Sequence, residues 1–157
     1  MPFLVTILTH TFPSLALSAL SAYGLYISYL CISKLRQYEE RSEKAAKWSN
    51  TAADQLYKTR ATQTSAAVAV LVSFVTSTAL GFGSVGPGFV GTVLRIGNVI
   101  AVVAAMVHVK GFWDGKAKVP FVEGYNEAIE STEELIMVLG YLAAGWGGFV
   151  LVGLLMG

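Results

Sequence analysis

The chain has 157 residues, of which 54% are hydrophobic and only 13% charged, with a formal net charge of +1 and a mean hydropathy of +0.59. A soluble domain of ordinary composition carries about a quarter charged residues, whereas here the few charges fall into two blocks between long apolar runs. That layout excludes an ordinary water-soluble domain, offers nothing for nucleic acid, and indicates a protein whose main solvent is the lipid bilayer.

Residues 3–33, FLVTILTHTFPSLALSALSAYGLYISYLCIS, contain no Asp, Glu, Lys or Arg, and about 20 apolar residues cross the hydrocarbon core as a helix. A first span is expected over 8–33, with room to tilt, protrude or kink at Pro13, whose ring lacks a backbone donor and crowds the preceding turn. The small residues of ALSALSAYG allow a cleaved signal peptide as the alternative. Against it, no basic residue precedes the run, which exceeds the usual apolar core of about 7–15 residues.

Residues 34–62 are rich in good helix formers and lack Gly and Pro, so the first two spans are expected to continue as helices into a cytosolic loop. Ala45, Trp48, Ala52 and Leu56 recur at helical spacing. Such a stripe suits two extensions packed on each other, with Trp48 and Tyr57 at headgroup level, or a surface for a partner.

The second and third spans are expected over 63–83 and 88–109. Between them, Gly81-Phe82-Gly83-Ser84-Val85-Gly86 matches the G-x-G-x-x-G spacing of dinucleotide loops. That motif works only after a strand and before a helix of a βαβ unit. With a membrane-length apolar run on either side, the glycines and Pro87 instead predict a tight hairpin, and no nucleotide cofactor is expected.

Residues 110–134 form an acidic loop, in which Asp114, Glu123, Glu127, Glu130, Glu133 and Glu134 outnumber three lysines, against seven basic and four acidic residues in loop one. The two loops are of opposite sign and can attract each other. Glu123, Glu127, Glu130 and Glu134 follow helical spacing and read as a solvated acidic face. A fourth span closes the chain over 135–156. Every basic residue except Arg95 then lies on one side, and the positive-inside bias places loops one and three in the cytosol with both termini opposite. The expected fold is all-α, one integral-membrane four-helix bundle.

Small residues recur at intervals of four in span four (Gly140, Ala144, Gly148, beside Ala143 and Gly147) and in span one (Ser14, Ser18, Ala22). Lipid tails give helices no hydrophobic reason to associate, so such faces predict close packing or oligomerisation. Few residues carry chemistry. His10 and His108 fall near opposite ends of the bilayer, so no shared metal is expected. The lone Cys31 precludes an internal disulfide; at the cytosolic membrane edge it suits palmitoylation or, more simply, packing. Arg95 lies inside an apolar span with Asn98 one turn away, making a small polar intramembrane site. Snorkelling or pairing, and ligand binding, are both open for it.

The chain resembles the membrane-associated proteins of eicosanoid and glutathione metabolism, the MAPEG family. Both share four spans, a large first loop and a tight second one. Arg60-Ala61-Thr62-Gln63-Thr64-Ser65-Ala66-Ala67 aligns with the family's entry to its second span, with Thr64 and Ala67 where the family has Asn and Glu. Phe112, Trp113 and Gly115 match the paired aromatics and glycine ending its third span, where Lys110 stands near the position of an arginine of active members. The resemblance implies a trimer in the endoplasmic reticulum or another endomembrane, binding glutathione or a lipophilic substrate in a cytosolic-side cleft lined by Tyr57, Arg60, Gln63, Thr64 and Lys110. It leaves catalysis without three of its usual residues. The reading from another class is a non-catalytic accessory subunit of a larger membrane complex.

Overall fold

The computed structural model describes residues 2–86, 88–116 and 123–156. Pro87 of the expected hairpin and Lys118 of the acidic loop lie outside the described residues. The described residues form helices and turns without strands: α1 (Pro2–Thr6), a π-helical turn (Ile7–Thr11), α2 (Phe12–Ala46), α3 (Asn50–Gly81), α4 (Phe89–Trp113) and α5 (Glu123–Met156). Four helical stretches, Leu4–Arg36, Asn50–Gly81, Phe89–Trp113 and Gly124–Leu155, are long and apolar enough to cross a membrane. The protein is therefore an all-helical, polytopic membrane protein.

The helices form a ring in which α2 packs on α3 and α5, and α4 packs on the same two, while α3 and α5 scarcely meet across the diagonal. Short connections enforce this order, because a turn of a few residues can only join antiparallel neighbours. At the first connection, Ser49 caps α3 by accepting from the Ala52 amide at 3.4 Å. At the second, Gly83 has φ of +71°, a conformation that side chains resist. A Cβ on Gly91 would lie 2.5 Å from the Gly86 carbonyl oxygen, so only glycine lets α4 start this close to the turn.

Each helix turns one stripe inward. On α4 the buried residues are Arg95, Asn98, Val102, Ala105, Val109 and Trp113 among others, a three-and-four spacing that keeps one face on its neighbours. α5 contributes Leu135, Leu139, Leu142 and Trp146, all fully enclosed. The opposite faces are apolar as well, as lipid requires. Polar cross-links run through the centre: Ser18 to Thr78 and Ser21 to Ser73, both at 2.8 Å, and the Trp146 indole N–H to Ser73 Oγ at 2.8 Å.

The expected kink at Pro13 takes the form of the π-helical turn just before it. The Phe12 amide reaches back five residues to the Ile7 carbonyl, and the Ser14 hydroxyl donates to the His10 carbonyl at 2.6 Å. Wider winding there accommodates a ring that cannot donate to the preceding turn.

Two packing expectations change. The 47–49 turn interrupts the loop-one stripe: Leu56 is buried but Trp48 is 91% exposed. In span four, Gly147 and Gly148 meet nothing within 4 Å. The intimate glycines are others, chiefly Gly24, where a Cβ would lie 2.9 Å from Val70 Cγ1 and 3.1 Å from Val138 Cγ1.

Candidate functional site

A groove of about 830 Å³ runs between α3 and α4. It exists because the facing residues are short: Ala61 and Ala69 on α3, and Ala101, Ala104 and Ala105 on α4. Val68 and Val72 complete an apolar floor. Toward the charged end of the bundle the lining becomes polar, with Tyr57, Arg60, Thr64, Ser65 and His108. The groove is therefore amphipathic along its length.

The structure brings together three of the five expected ligand-binding residues, Tyr57, Arg60 and Thr64. Gln63 turns the other way. It is 4% exposed, donates to Thr132 Oγ1 on α5 at 3.1 Å, and leaves its own Oε1 buried and unpartnered among the described residues. The reason is helical geometry, since adjacent residues on a helix point about 100° apart. Lys110 is exposed and lines a separate small cleft with Trp113, Asp114 and Glu133.

Arg60 does not present a free cation. Its Nε lies 3.3 Å from Glu39 Oε1 and its Nη2 2.5 Å from Glu43 Oε1, both on α2. Two carboxylates on one guanidinium leave this rim with a local excess of negative charge. All three groups are partly exposed, so the pairing is worth at most about 1 kcal/mol per contact and an incoming ligand can reorganise it.

His108 and Ser65 meet across the groove, with Nδ1 to Oγ at 3.1 Å. Ser65 Oγ also donates to the Thr62 carbonyl at 2.9 Å. A hydroxyl has a single proton, so with that proton on Thr62 the imidazole Nδ1–H donates to Ser65. The pair thus ties α3 to α4 and leaves the remaining imidazole nitrogen for other contacts; it does not have the proton direction of a serine activated for attack. The local sequence around His108 does not name Ser65 as its partner. The tight hairpin was the available signal, because antiparallel neighbours pair residues nearly equidistant from the turn, as Ser65 and His108 are.

At the hairpin end, Arg95 is 2% exposed, which removes the snorkelling alternative. Its Nη2 lies 3.1 Å from His10 Nδ1 and its guanidinium lies 4.0 Å from the centre of the Phe149 ring. A Cβ on Gly153 would fall 2.8 Å from Nη1, so glycine on α5 makes the space. Arg95 Nε and Asn98 Oδ1 are buried without partners among the described residues. Asn98 does share the inward face with Arg95, but its Nδ2 donates to the Leu94 carbonyl on its own helix at 2.8 Å. His10 and His108 thus engage different partners at opposite ends.

Cys31 is fully buried, with the Thr132 hydroxyl 3.8 Å from its sulfur, and packs in the core. The two oppositely charged segments at this end of the bundle do touch: Lys34 lies 3.8 Å from Glu127 and donates to Ser131 at 3.1 Å. No known family model, no curated protein and no solved structure matches this chain.

Proposed function

We propose that the protein binds a membrane-soluble amphiphile in the α3–α4 groove, its apolar part along the Ala/Val floor and its polar end at Tyr57, Arg60, Thr64 and His108. The observation that carries this reading is the gradient in one continuous groove, from an alanine-lined floor to a hydrogen-bonding rim. Most small-molecule sites share that design, a largely apolar concavity with a few oriented polar groups. On this reading the charged end faces the cytosol, following the positive-inside bias, and the membrane is an endomembrane, as the MAPEG resemblance implies.

That resemblance also implies glutathione and a trimer. The lipophilic half of the expectation has the better support, because Arg60 is already held by Glu39 and Glu43 and an anionic tripeptide has to displace them. Catalysis is not part of the proposal.

The test is photocrosslinking in nanodiscs with a diazirine-bearing acyl lipid, followed by peptide mapping. Labelling should concentrate on α3 and α4 and fall severalfold in Ala104→Phe, which fills the floor. Equal labelling of the variant would refute groove binding. Native mass spectrometry of the same sample reads the oligomeric state, and a stoichiometric larger partner with an empty groove would favour the accessory-subunit reading. Millimolar glutathione should leave the thermal midpoint unmoved. A rise that Arg60→Ala abolishes would reinstate the tripeptide.

A further inference from the structure

The far end of the bundle holds a pair that the groove does not use. Arg95 is a buried cation in an apolar span, and its only close hydrogen-bonding partner among the described residues is His10 Nδ1, at 3.1 Å. A guanidinium has donors and no acceptor. His10 Nδ1 must therefore accept, which it can do only as a neutral ring with its proton on Nε2. Protonating Nδ1 removes the acceptor and places two cations in contact in a poorly screened environment.

Among the described residues no acidic group nearby offsets that second charge. α1 and the π-helical turn contain no ionisable residue besides His10, and residues 12–22 of α2, 61–81 of α3 and 142–156 of α5 contain none. On α4, Arg95 is the sole ionisable group between Phe89 and Val107. Asp and Glu are absent from all of these stretches. His10 is partly exposed and lies toward the start of the first membrane-length helical stretch, Leu4–Arg36.

His10 also sits where the backbone is easiest to rearrange. It lies within the π-helical turn Ile7–Thr11, followed immediately by α2 with Pro13 near its start. A π turn holds one more residue than the α-helix around it, and such turns often mark functional positions. α1 precedes the turn directly, and it is the turn, not α1, that packs on α3.

We propose that the His10–Arg95 contact is a proton-operated latch: neutral His10 ties the segment from Pro2 to Thr11 to Arg95 on α4 and Phe149 on α5, and protonation from the hairpin side releases it. The partner is a proton, and the element it biases is the segment from Pro2 to Thr11. Arg95 keeps its charge throughout, so the device needs only one titrating group.

Hydrogen–deuterium exchange of the full-length protein in nanodiscs, followed by peptide, tests this across pH 7.5 to 5 after correction for intrinsic exchange rates. Exchange in residues 2–11 should rise about tenfold or more toward acid, the change expected for one unit of linked protonation, while the α3 and α5 cores stay constant. In His10→Gln, whose side-chain carbonyl accepts from Arg95 but does not titrate, that dependence should vanish. A flat profile in the unaltered protein, or an equal rise in His10→Gln, would overturn the latch. Should the variant fold poorly, nitrogen NMR of the His10 ring in the unaltered protein still decides. Release must follow its protonation midpoint, and a midpoint displaced by more than about one unit refutes the coupling.

Discussion

Gly24 sits where α2 crosses both α3 and α5, and its replacement by alanine measures how closely these helices are packed. The added methyl carbon would start 2.9 Å from Val70 Cγ1 and 3.1 Å from Val138 Cγ1. Carbon atoms rest at about 3.5–4.0 Å, so each contact is short by roughly half an ångström or more and both neighbours are β-branched and stiff. Overpacking of this kind costs about 1–3 kcal/mol, set against about 1 kcal/mol gained from the better helix propensity of alanine. Gly148, which meets nothing within 4 Å, supplies the control: Gly148→Ala keeps the propensity gain without the clash. Gly24→Ala should therefore be about 1–3 kcal/mol less stable than Gly148→Ala. Removing the Val70 γ carbons should relieve the strain, so Gly24→Ala with Val70→Ala should be less destabilised than the sum of the single changes. Steric-trap unfolding in bicelles gives all of these free energies. Equal stability of Gly24→Ala and Gly148→Ala, or strict additivity with Val70→Ala, would mean that α2 is not seated at this depth on α3 and α5.

Trp146→Phe removes the indole donor to Ser73, which also bonds Ser21. A loss of about 1–2 kcal/mol is expected from the hydrogen bond and the vacated volume together, with a coupling to Ser73→Ala of roughly 0.6 kcal/mol, the usual size within membranes. Zero coupling in the double-mutant cycle would place the indole elsewhere. Cys31, fully enclosed beside Thr132, should resist a membrane-permeant maleimide in nanodiscs and react at once in denaturing detergent. Fast alkylation of the folded protein, or quantitative palmitoylation detected by mass spectrometry, would contradict its burial.

Part of the site was legible in the sequence because it depends on one helix alone. Tyr57, Arg60 and Thr64 were named by the family resemblance, and their spacing of three and four puts them on one face of α3, where the structure lines one groove with all three. Gln63, three residues after Arg60 but about 100° around from Thr64, could join either row, and it faces Thr132 of α5 because of how α3 is rotated in the bundle. Lys110 was named for standing near the position of a family arginine, and position along one helix does not say which neighbour a side chain faces. Arg95 was recognisable as unusual, yet its alternatives turned on whether it points to lipid or inward. That choice depends on the rotation of α4, which Gly153 and Phe149 of α5 help to set.

By itself the sequence determined that four helical stretches are long and apolar enough to cross a membrane, the hairpin at Gly83, and the separation of charge to one end. Each follows from local properties: the apolar length that a bilayer demands, the φ freedom of glycine, and the cost of moving charge into hydrocarbon. Only the tertiary structure decided that α2 neighbours α5, that His10 meets Arg95, that Ser65 meets His108, and which glycines are packed and which face open space. In lipid, apolar residues cover every side of a helix, so hydropathy does not mark the inward face as it does in water. The rotation of each helix is settled instead by small-residue contacts and polar cross-links between distant parts of the chain, and these exist only once the bundle has formed.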